Sequence, residues 1–330
     1  MKLIRTLLAL AVSLGCTTAA FAQSAAPSAI RIIVPYGPGG LVDVMSRIMA
    51  TRMAQTLGQP VVVENRPGAN ANIGPAYVAQ APADGRTLLA TASYFSTNPL
   101  IESNLQWSPR QLVPVARFGI SPNLYVVPAK SSASTLKDFL AQAKTTPGMP
   151  VMDAGRGATQ TMVQMVLEDA AKVTFTHVQY RGGVSYVPDI ISGTLSGGVV
   201  PFNVALGLVK NGDLKALAIT SAKRSALLPN VPTMAEAGFP EAGIDSWLGY
   251  HVPAGTPPDV VKRLMTAVEE AAANADVRTR FATLGAESAY LDTGAFEAFL
   301  VRRSQAGAAG CLDGVEPAAI SGNRGLPVTS

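Results

Sequence analysis

The chain has 330 residues, which is enough to build two domains of ordinary size. It carries 26 Lys and Arg against 22 Asp and Glu, and its basic residues form no cluster interleaved with aromatics, which argues against a nucleic-acid partner. The two cysteines, Cys16 and Cys311, lie near opposite ends. If Cys16 is removed together with an N-terminal export signal, Cys311 is left without a partner for an internal disulfide.

Residues 1–22 have the pattern of an export signal. Lys2 and Arg5 form a basic start, residues 7–14 form an apolar core too short to span a membrane, and Ala20-Phe21-Ala22 fits a cleavage site. We expect cleavage after Ala22, which lowers the net charge from +4 to +2. The alternative, a lipid attached at Cys16, fits the preceding residues poorly.

Residues 30–43 predict a strand, a glycine-rich loop and a helix in succession. Positions 32–34 are apolar, residues 35–40 contain three glycines, and helical apolar spacing then continues to Gly58. This arrangement directs backbone N–H groups and a helix dipole at one spot that suits an anion. The loop lacks the Walker A lysine and the dinucleotide glycine spacing, so a plain β–α turn is the alternative. Asp43 either starts the helix or orders the loop for a ligand.

Strand and helix patterns alternate along the rest of the chain. Strands are predicted at 61–63, 87–91, 124–127, 173–180 and 214–220, and helices at 136–144, 160–171 and 260–273. Such alternation favours α/β layers with mainly parallel sheets. Because ligands bind beyond the C-terminal strand ends of such sheets, the loops at 36–40, 92–98 and 154–160 are candidate binding loops.

Residue types that carry catalysis or bind metals are sparse. The two histidines, His177 and His251, lie far apart and show no metal-ligand spacing, and His177 is interpreted as structural. No Gly-x-Ser-x-Gly nucleophile motif occurs. Tyr94 and Tyr180 border polar loops and are predicted to be pocket walls. The sequence therefore predicts no catalytic residue, no metal and no cofactor.

Several short motifs occur in the order in which a known family has them. They include Pro35-Tyr36-Gly37-Pro38-Gly39-Gly40-x-x-Asp43, Asn65-Arg66-Pro67-Gly68-Ala69, Asn98-Pro99, His177-Val178-x-Tyr180-x-Gly182 and Leu228-Pro229-x-Val231-Pro232-Thr233. Over about residues 28–300 the chain resembles the Bug (Bordetella uptake gene) or TctC-like extracytoplasmic solute receptors of tripartite tricarboxylate transporters.

The resemblance implies the fold of a type II periplasmic binding protein, with two α/β domains and a ligand cleft between them. One domain would be discontinuous, about residues 28–124 plus 248–300, and the other would span 125–247. The hinge would lie near 123–126 and 246–251.

The resemblance also implies a periplasmic, non-catalytic monomer. It would capture a small organic anion, such as a di- or tricarboxylate, an amino acid or an aromatic acid, and present it to membrane transporter subunits. One alternative is an orphan receptor that signals to a membrane sensor kinase. A periplasmic hydrolase is a further alternative, although the sequence shows no nucleophile–base pair.

The family's carboxylate pocket corresponds to three loops of this chain. The predicted ligand-binding residues are Tyr36, Gly37, Gly39, Gly40, Asp43, Ser93, Tyr94, Thr97, Asn98, Arg156, Gly157, Ala158, Thr159 and Tyr180. Arg156 is unusual for the family. Its guanidinium either holds a ligand carboxylate bidentately or points into solvent.

The C-terminal end departs from the family as well. Family members usually end in an amphipathic helix, whereas residues 301–330 are rich in glycine and alanine and show no helical apolar stripe. We expect an atypical tail from about residue 301. A shifted reading frame or a genuine flexible segment would explain it.

Overall fold

The computed structural model describes residues 29–180 and 184–310, and side-chain surroundings up to residue 304. The predicted export signal, Cys16 and Cys311 lie outside the described residues. The strands are β1 (Ile30–Val34), β2 (Val61–Asn65), β3 (Thr87–Thr91), β4 (Leu112–Ser121), β5 (Asn123–Pro128), β6 (Met149–Asp153), β7 (Phe175–Gln179), β8 (Gly198–Pro201), β9 (Leu214–Ile219), β10 (Ser246–Pro253) and β11 (Glu287–Leu291).

Helices connect most of these strands. They are α1 (Leu41–Leu57), α2 (Ile73–Ala79), α3 (Tyr94–Ile101), α4 (Leu136–Thr145), α5 (Thr159–Ala171), α6 (Val187–Ser192), α7 (Phe202–Asn211), α8 (Pro258–Ala273), α9 (Ala275–Thr283) and α10 (Thr293–Gly310). Within the described ranges, no helix combines the length and the apolar character that crossing a membrane requires.

The larger sheet has six strands in the order β11-β4-β10-β3-β1-β2. β1 pairs in parallel with β2 and β3, whereas β10 lies antiparallel between β3 and β4. All five residues of β3 are buried, as are four of the five in β1. Strands covered on both faces read as continuous apolar runs, which explains why the sequence reveals them.

The second half of the fold holds a three-stranded antiparallel sheet, β8-β5-β9, and a parallel pair, β6-β7. Five of the eight strand pairings in the described residues are antiparallel, so the prediction of mainly parallel sheets was wrong. The physical reason is that β5 and β10 enter their sheets without a crossover helix. Side-chain periodicity carries no record of the direction of a pairing partner.

The chain passes between the two sheets at neighbouring points. Only Pro122 separates β4 from β5, and the return occurs at the start of β10. The Asn123 side-chain amide donates to the Ser246 hydroxyl over 3.2 Å, and the Gln160 amide donates to Asn123 Oδ1 over 2.6 Å. Two α/β domains, each with its own apolar core, therefore face each other across a cleft whose base is this crossing.

Helix α10 continues through residues 301–310, although this part of the sequence has no helical apolar stripe. Residues 311–330 lie outside the described residues. The helix is anchored where Phe296 and Phe299 pack edge-on against Trp247, at centroid distances of 5.6 and 5.5 Å. Its later alanines need no apolar stripe, because alanine has the highest intrinsic helix propensity.

The close packing of α10 on the larger sheet makes Gly249 of β10 sensitive to substitution. A methyl group at this position would overlap the Phe296 ring and approach the Ala116 carbonyl oxygen to 2.9 Å. We expect Gly249→Ala to lower the free energy of unfolding by about 1–3 kcal/mol, as overpacking does. Urea denaturation followed by circular dichroism measures this change.

Gly207 provides the matched control, since it lies exposed inside α7 and has open space around it. Gly207→Ala is expected to raise the free energy of unfolding by about 0.5–1 kcal/mol, because alanine favours the helix interior. Equal effects at the two positions would contradict the packing described for α10.

Candidate functional site

The loop between β1 and α1 is held from behind by Asp43, whose residue is only 3% exposed. One carboxylate oxygen accepts the Gly39 N–H over 2.9 Å. The other accepts Arg47 Nε over 3.0 Å and the Asn65 amide over 2.9 Å. Asp43 thus orders the glycine loop, which is one of the two roles that the sequence offered for it.

The environment keeps the Asp43 carboxylate ionised. Burial alone would raise its pKa, but hydrogen bonds from Arg47, Gly39 and Asn65 outweigh burial and hold the pKa below its usual range. The stability that this group contributes is therefore present above the unfolded pKa of about 3.9 and is lost as the pH falls.

Among the described residues, side-chain hydrogen bonds join the two domains across the cleft. The hydroxyls of Ser93 and Thr97, at the start of α3, both donate to the Gly157 carbonyl over 2.9 Å. On the other side of the cleft mouth, the Gln179 amide donates to Asn70 Oδ1 over 2.7 Å. The loop between β6 and α5 is therefore fixed directly against the opposite domain.

An inner cavity of about 60 Å³ lies between the two domains. It is lined by Tyr36, Gly40, Leu41, Val42, Ala92, Ser93, Met152, Ala154, Thr159, Gln160, Tyr186, Pro201, Ser246 and Trp247. These described lining residues include no charged side chain. Recognition in the inner cavity must therefore come from neutral groups.

Two helix N-termini converge on the inner cavity. Gly40, Leu41 and Val42 open α1, and Thr159 and Gln160 open α5. Neither helix has a side-chain hydrogen bond at its N-cap residue. The first-turn N–H groups of both helices are thus available to a ligand, and each N-terminus carries about half a positive charge. The arrangement suits one carboxylate group.

An outer groove of about 1000 Å³ adjoins the inner cavity. Its lining is mixed, and its polar side chains are Asn70, Asn72, Glu102, Asn104, Gln106, Gln179 and Tyr180. Tyr36 and Ala154 line both spaces. A ligand that places one end in the inner cavity can therefore extend past these two residues.

Five of the predicted site residues line one of these spaces. Tyr36, Gly40, Ser93 and Thr159 line the inner cavity, and Tyr180 lines the outer groove. The Tyr180 hydroxyl donates to Asp189 Oδ2 over 2.5 Å, which fixes the ring beside the groove.

Two other predicted residues lie behind the walls and line neither the inner cavity nor the outer groove. Tyr94 is fully buried, donates its hydroxyl to the Ala90 carbonyl over 2.8 Å and packs edge-on against Tyr36. Asn98 is also fully buried and donates to the Asn70 carbonyl over 2.7 Å. Both shape the walls because helix α3 turns these side chains inward.

The remaining predicted residues lie at the edges of the site. Gly37 is half-buried and Gly39 exposed, and the Gly39 N–H is already taken by Asp43. Thr97 acts through its bond to Gly157, which is buried, as is Ala158 at the N-cap of α5.

Arg156 is exposed and lines neither the inner cavity nor the outer groove. Of the two interpretations offered by the sequence, this position fits a solvated side chain.

Sequence reasoning missed ten lining residues of the inner cavity. They are Leu41, Val42, Ala92, Met152, Ala154, Gln160, Tyr186, Pro201, Ser246 and Trp247. Ala92, Ala154 and Gln160 lie within the predicted binding loops. Leu41 and Val42 directly follow the loop at 36–40, so counting the first helical turn into the site would have found them. Ser246 and Trp247 come from the strand that returns between the domains, and no local pattern marks them.

Across residues 29–180 and 184–310, no group of three or more His, Cys, Asp and Glu side chains is arranged to hold a metal ion. The polar groups that line the inner cavity are the N–H groups of helix termini, hydroxyls and amides.

Comparison with known proteins agrees with this geometry. Residues 45–307 match TctC, described as the tripartite tricarboxylate transporter family receptor. The chain is 34% identical over 264 residues to protein BugT of Bordetella pertussis, a match that covers 78% of this chain and 80% of BugT. The chain belongs to the TctC family of periplasmic solute-binding receptors, as the sequence motifs predicted.

Solved structures of similar proteins share the two-domain architecture. MatC from Rhodopseudomonas palustris with bound malate is 27% identical with a TM-score of 0.79, covering 85% of this chain and 98% of MatC. Another R. palustris protein, with adipate, is 26% identical with a TM-score of 0.83, covering 87% of this chain and 97% of its own. The predicted periplasmic binding protein fold is confirmed.

The role assigned to Asp43 generates a stability prediction. In Asp43→Asn the amide loses the ion pair with Arg47 and weakens the hold on Gly39. We expect the free energy of unfolding at neutral pH to fall by about 1–3 kcal/mol, as for other lost bonds to buried charges. The parent should also lose stability as the pH falls, and the variant should lose less. Urea unfolding across the acid range measures both effects.

Asp169→Asn is the control, because Asp169 is an exposed carboxylate that pairs with Lys172 on the surface of α5. Surface changes of this kind usually alter stability by less than about 0.5 kcal/mol. If the Asp43 and Asp169 variants behave alike, Asp43 does not hold the loop.

Proposed function

We propose that this receptor binds a small organic carboxylate with one carboxylate group in the inner cavity. The observation that carries the proposal is the convergence of two helix N-termini without side-chain caps on a space without charged side chains. Oriented N–H groups and two helix dipoles favour an anion at such a point. Relatives with bound malate and adipate support a carboxylate as the ligand class.

The rest of the ligand would extend past Tyr36 and Ala154 toward the outer groove. The inner cavity holds only a few atoms, so the body of a di- or tricarboxylate, an amino acid or an aromatic acid must lie partly outside it. Charge-assisted bonds from neutral donors contribute about 1.5–3 kcal/mol each before association costs. A handful of them is compatible with affinity near about −8 kcal/mol, which is micromolar.

The ligand would be captured without chemical change and presented to the membrane subunits of a tripartite transporter. We infer that the chain is exported, cleaved after Ala22 and active as a periplasmic monomer. One domain would comprise about residues 28–124 plus 248–300 and the other 125–247, with hinge movement where the strands cross between sheets.

Ligand binding is expected to raise thermal stability and to close the cleft. At a ligand concentration 100-fold above Kd, linkage adds about 2.7 kcal/mol to the free energy of unfolding. A thermal-shift screen with malate, adipate, amino acids and aromatic acids should find at least one ligand. X-ray scattering with that ligand should show a smaller radius of gyration. A screen in which none of these acids binds would overturn the proposal.

Ala154→Leu tests where the ligand lies. A larger side chain at the junction of cavity and groove should abolish binding in calorimetry while the circular dichroism stays native. Ala129→Leu is the matched control, because Ala129 is exposed just after β5. Retained affinity in Ala154→Leu would show that the ligand binds elsewhere.

Arg156 generates a separate prediction. Because its side chain is exposed and lines neither space, Arg156→Ala and Arg156→Lys should each bind within about 0.5 kcal/mol of the parent. Calorimetry with a matched pair of mono- and dicarboxylic acids checks this. A clear loss of affinity confined to the dicarboxylate would mean that the guanidinium clamps a second carboxylate.

A further inference from the structure

His177 of β7 lies between two carboxylates of neighbouring elements. Its Nε2 is 2.6 Å from Glu168 Oε1 on α5, and its Nδ1 is 3.4 Å from Asp153 Oδ2 at the end of β6. The side chain is half-buried and lines neither the inner cavity nor the outer groove. Any role in ligand binding must therefore pass through its carboxylate partners.

Asp153 transmits the position of His177 to the second cleft loop. Its other oxygen, Oδ1, accepts the Gly155 N–H over 2.6 Å and the Thr161 hydroxyl over 2.7 Å. The Thr161 oxygen in turn accepts the Ala154 N–H over 3.2 Å. Asp153 thus ties the end of β6, the loop and the first turn of α5 into one unit, and Ala154 of that unit lines the inner cavity.

The first cleft loop is built on the same plan. There Asp43 accepts the Gly39 N–H, and the cation that compensates its charge is Arg47. In both loops a buried carboxylate holds the N–H of a glycine with positive φ, +81° at Gly39 and +104° at Gly155. The difference is the cation, because an arginine keeps its charge whereas a histidine can lose it.

We propose that His177, as an imidazolium, is a positioning residue that holds Asp153 and thereby fixes residues 154–161 in the conformation that receives the ligand carboxylate. The ligand half of this proposal rests on the proposed function. The loop-positioning half stands on the contacts of His177 alone.

Hydrogen bonds to Asp153 and then to Glu168 raise the pKa of His177 from 6.5 to about 9. Among the described residues, these carboxylates are the charged groups that face the imidazole, from β6 and α5, and the Tyr125 hydroxyl of β5 lies near Glu168. The contribution of His177 is therefore complete below the unfolded pKa of about 6.5 and is lost as the pH rises through about 9.

Hydrogen exchange of backbone amides in the ligand-free protein tests whether His177 fixes residues 154–161. His177→Gln keeps a similar size and one donor but removes the charge. We expect the Gly155 amide to exchange at least about 10-fold faster in this variant, the factor that loss of a charged hydrogen bond produces. Lys172→Gln is the control, because it removes an exposed cation of the same domain that pairs only with Asp169. Unchanged protection of Gly155 in His177→Gln would overturn the proposal.

A pH series on the parent gives a readout that does not depend on the variant folding. The affinity for malate or adipate, measured by calorimetry from about pH 7 to about pH 10, should fall at least about 10-fold as His177 loses its proton. In His177→Gln it should be weak and nearly flat over the same range. In Glu168→Gln the fall should begin at lower pH, because one of the two stabilising carboxylates is gone.

The amide-exchange and affinity measurements distinguish failure of the proposed function from failure of the role proposed for His177. If neither the screened acids nor malate and adipate bind the parent, the proposed function fails, and the Gly155 exchange still decides whether His177 positions the loop. If an acid binds but its affinity is flat with pH in the parent and unchanged in His177→Gln, the ligand half of the proposal is wrong, and the Gly155 exchange alone decides whether His177 positions the loop.

Discussion

A buried carboxylate with its own cation fastens each of the two β–α loops that face the cleft. Asp43 holds the loop after β1 and Asp153 holds the loop after β6, each through the N–H of a glycine. A buried charge is costly unless it is paired and hydrogen-bonded, which is the role of Arg47 and His177. The starts of α1 and α5 depend on these two fastenings for their orientation.

Because both carboxylates act from behind, the cleft side of each helix start is left uncovered. An aspartate or serine at the N-cap would have taken the first-turn N–H groups for itself. Gly40 and Ala158 occupy the N-caps instead and make no side-chain cap. The fold thus separates the charges that shape the loops from the neutral groups that line the inner cavity.

The sequence predicted helices and strands well where one short stretch of residues carries the whole hydrophobic pattern. Strand β3 was predicted with its observed bounds, because both faces are covered and every residue is apolar or threonine. Helix α1 ends at Gly58, which adopts φ +65° and is a position that favours glycine. The loops that build the site followed from these strand ends.

What the sequence could not predict depends on contacts between distant segments. Tyr94 and Asn98 share the short helix α3 with Ser93, and only tertiary packing decides which of them turns inward. The direction of β10, and with it the arrival of Trp247 at the cavity, is set by the crossing between domains. Helix α10 continues past residue 300 without a periodic apolar pattern, and Arg303 of this part lies over the Phe299 ring, a contact that the sequence does not reveal.

The neutral lining of the inner cavity also determines how the receptor responds to its medium. Salt weakens attraction between exposed charges over a Debye length of about 10 Å at 0.1 M, but it acts little on short hydrogen bonds from buried amide groups. With no charged side chain among the described residues that line the inner cavity, a carboxylate bound there as we propose would gain little from long-range steering by that lining, and ionic strength would change its hold there little. A protein built this way holds an organic anion about as firmly in a concentrated medium as in a dilute one.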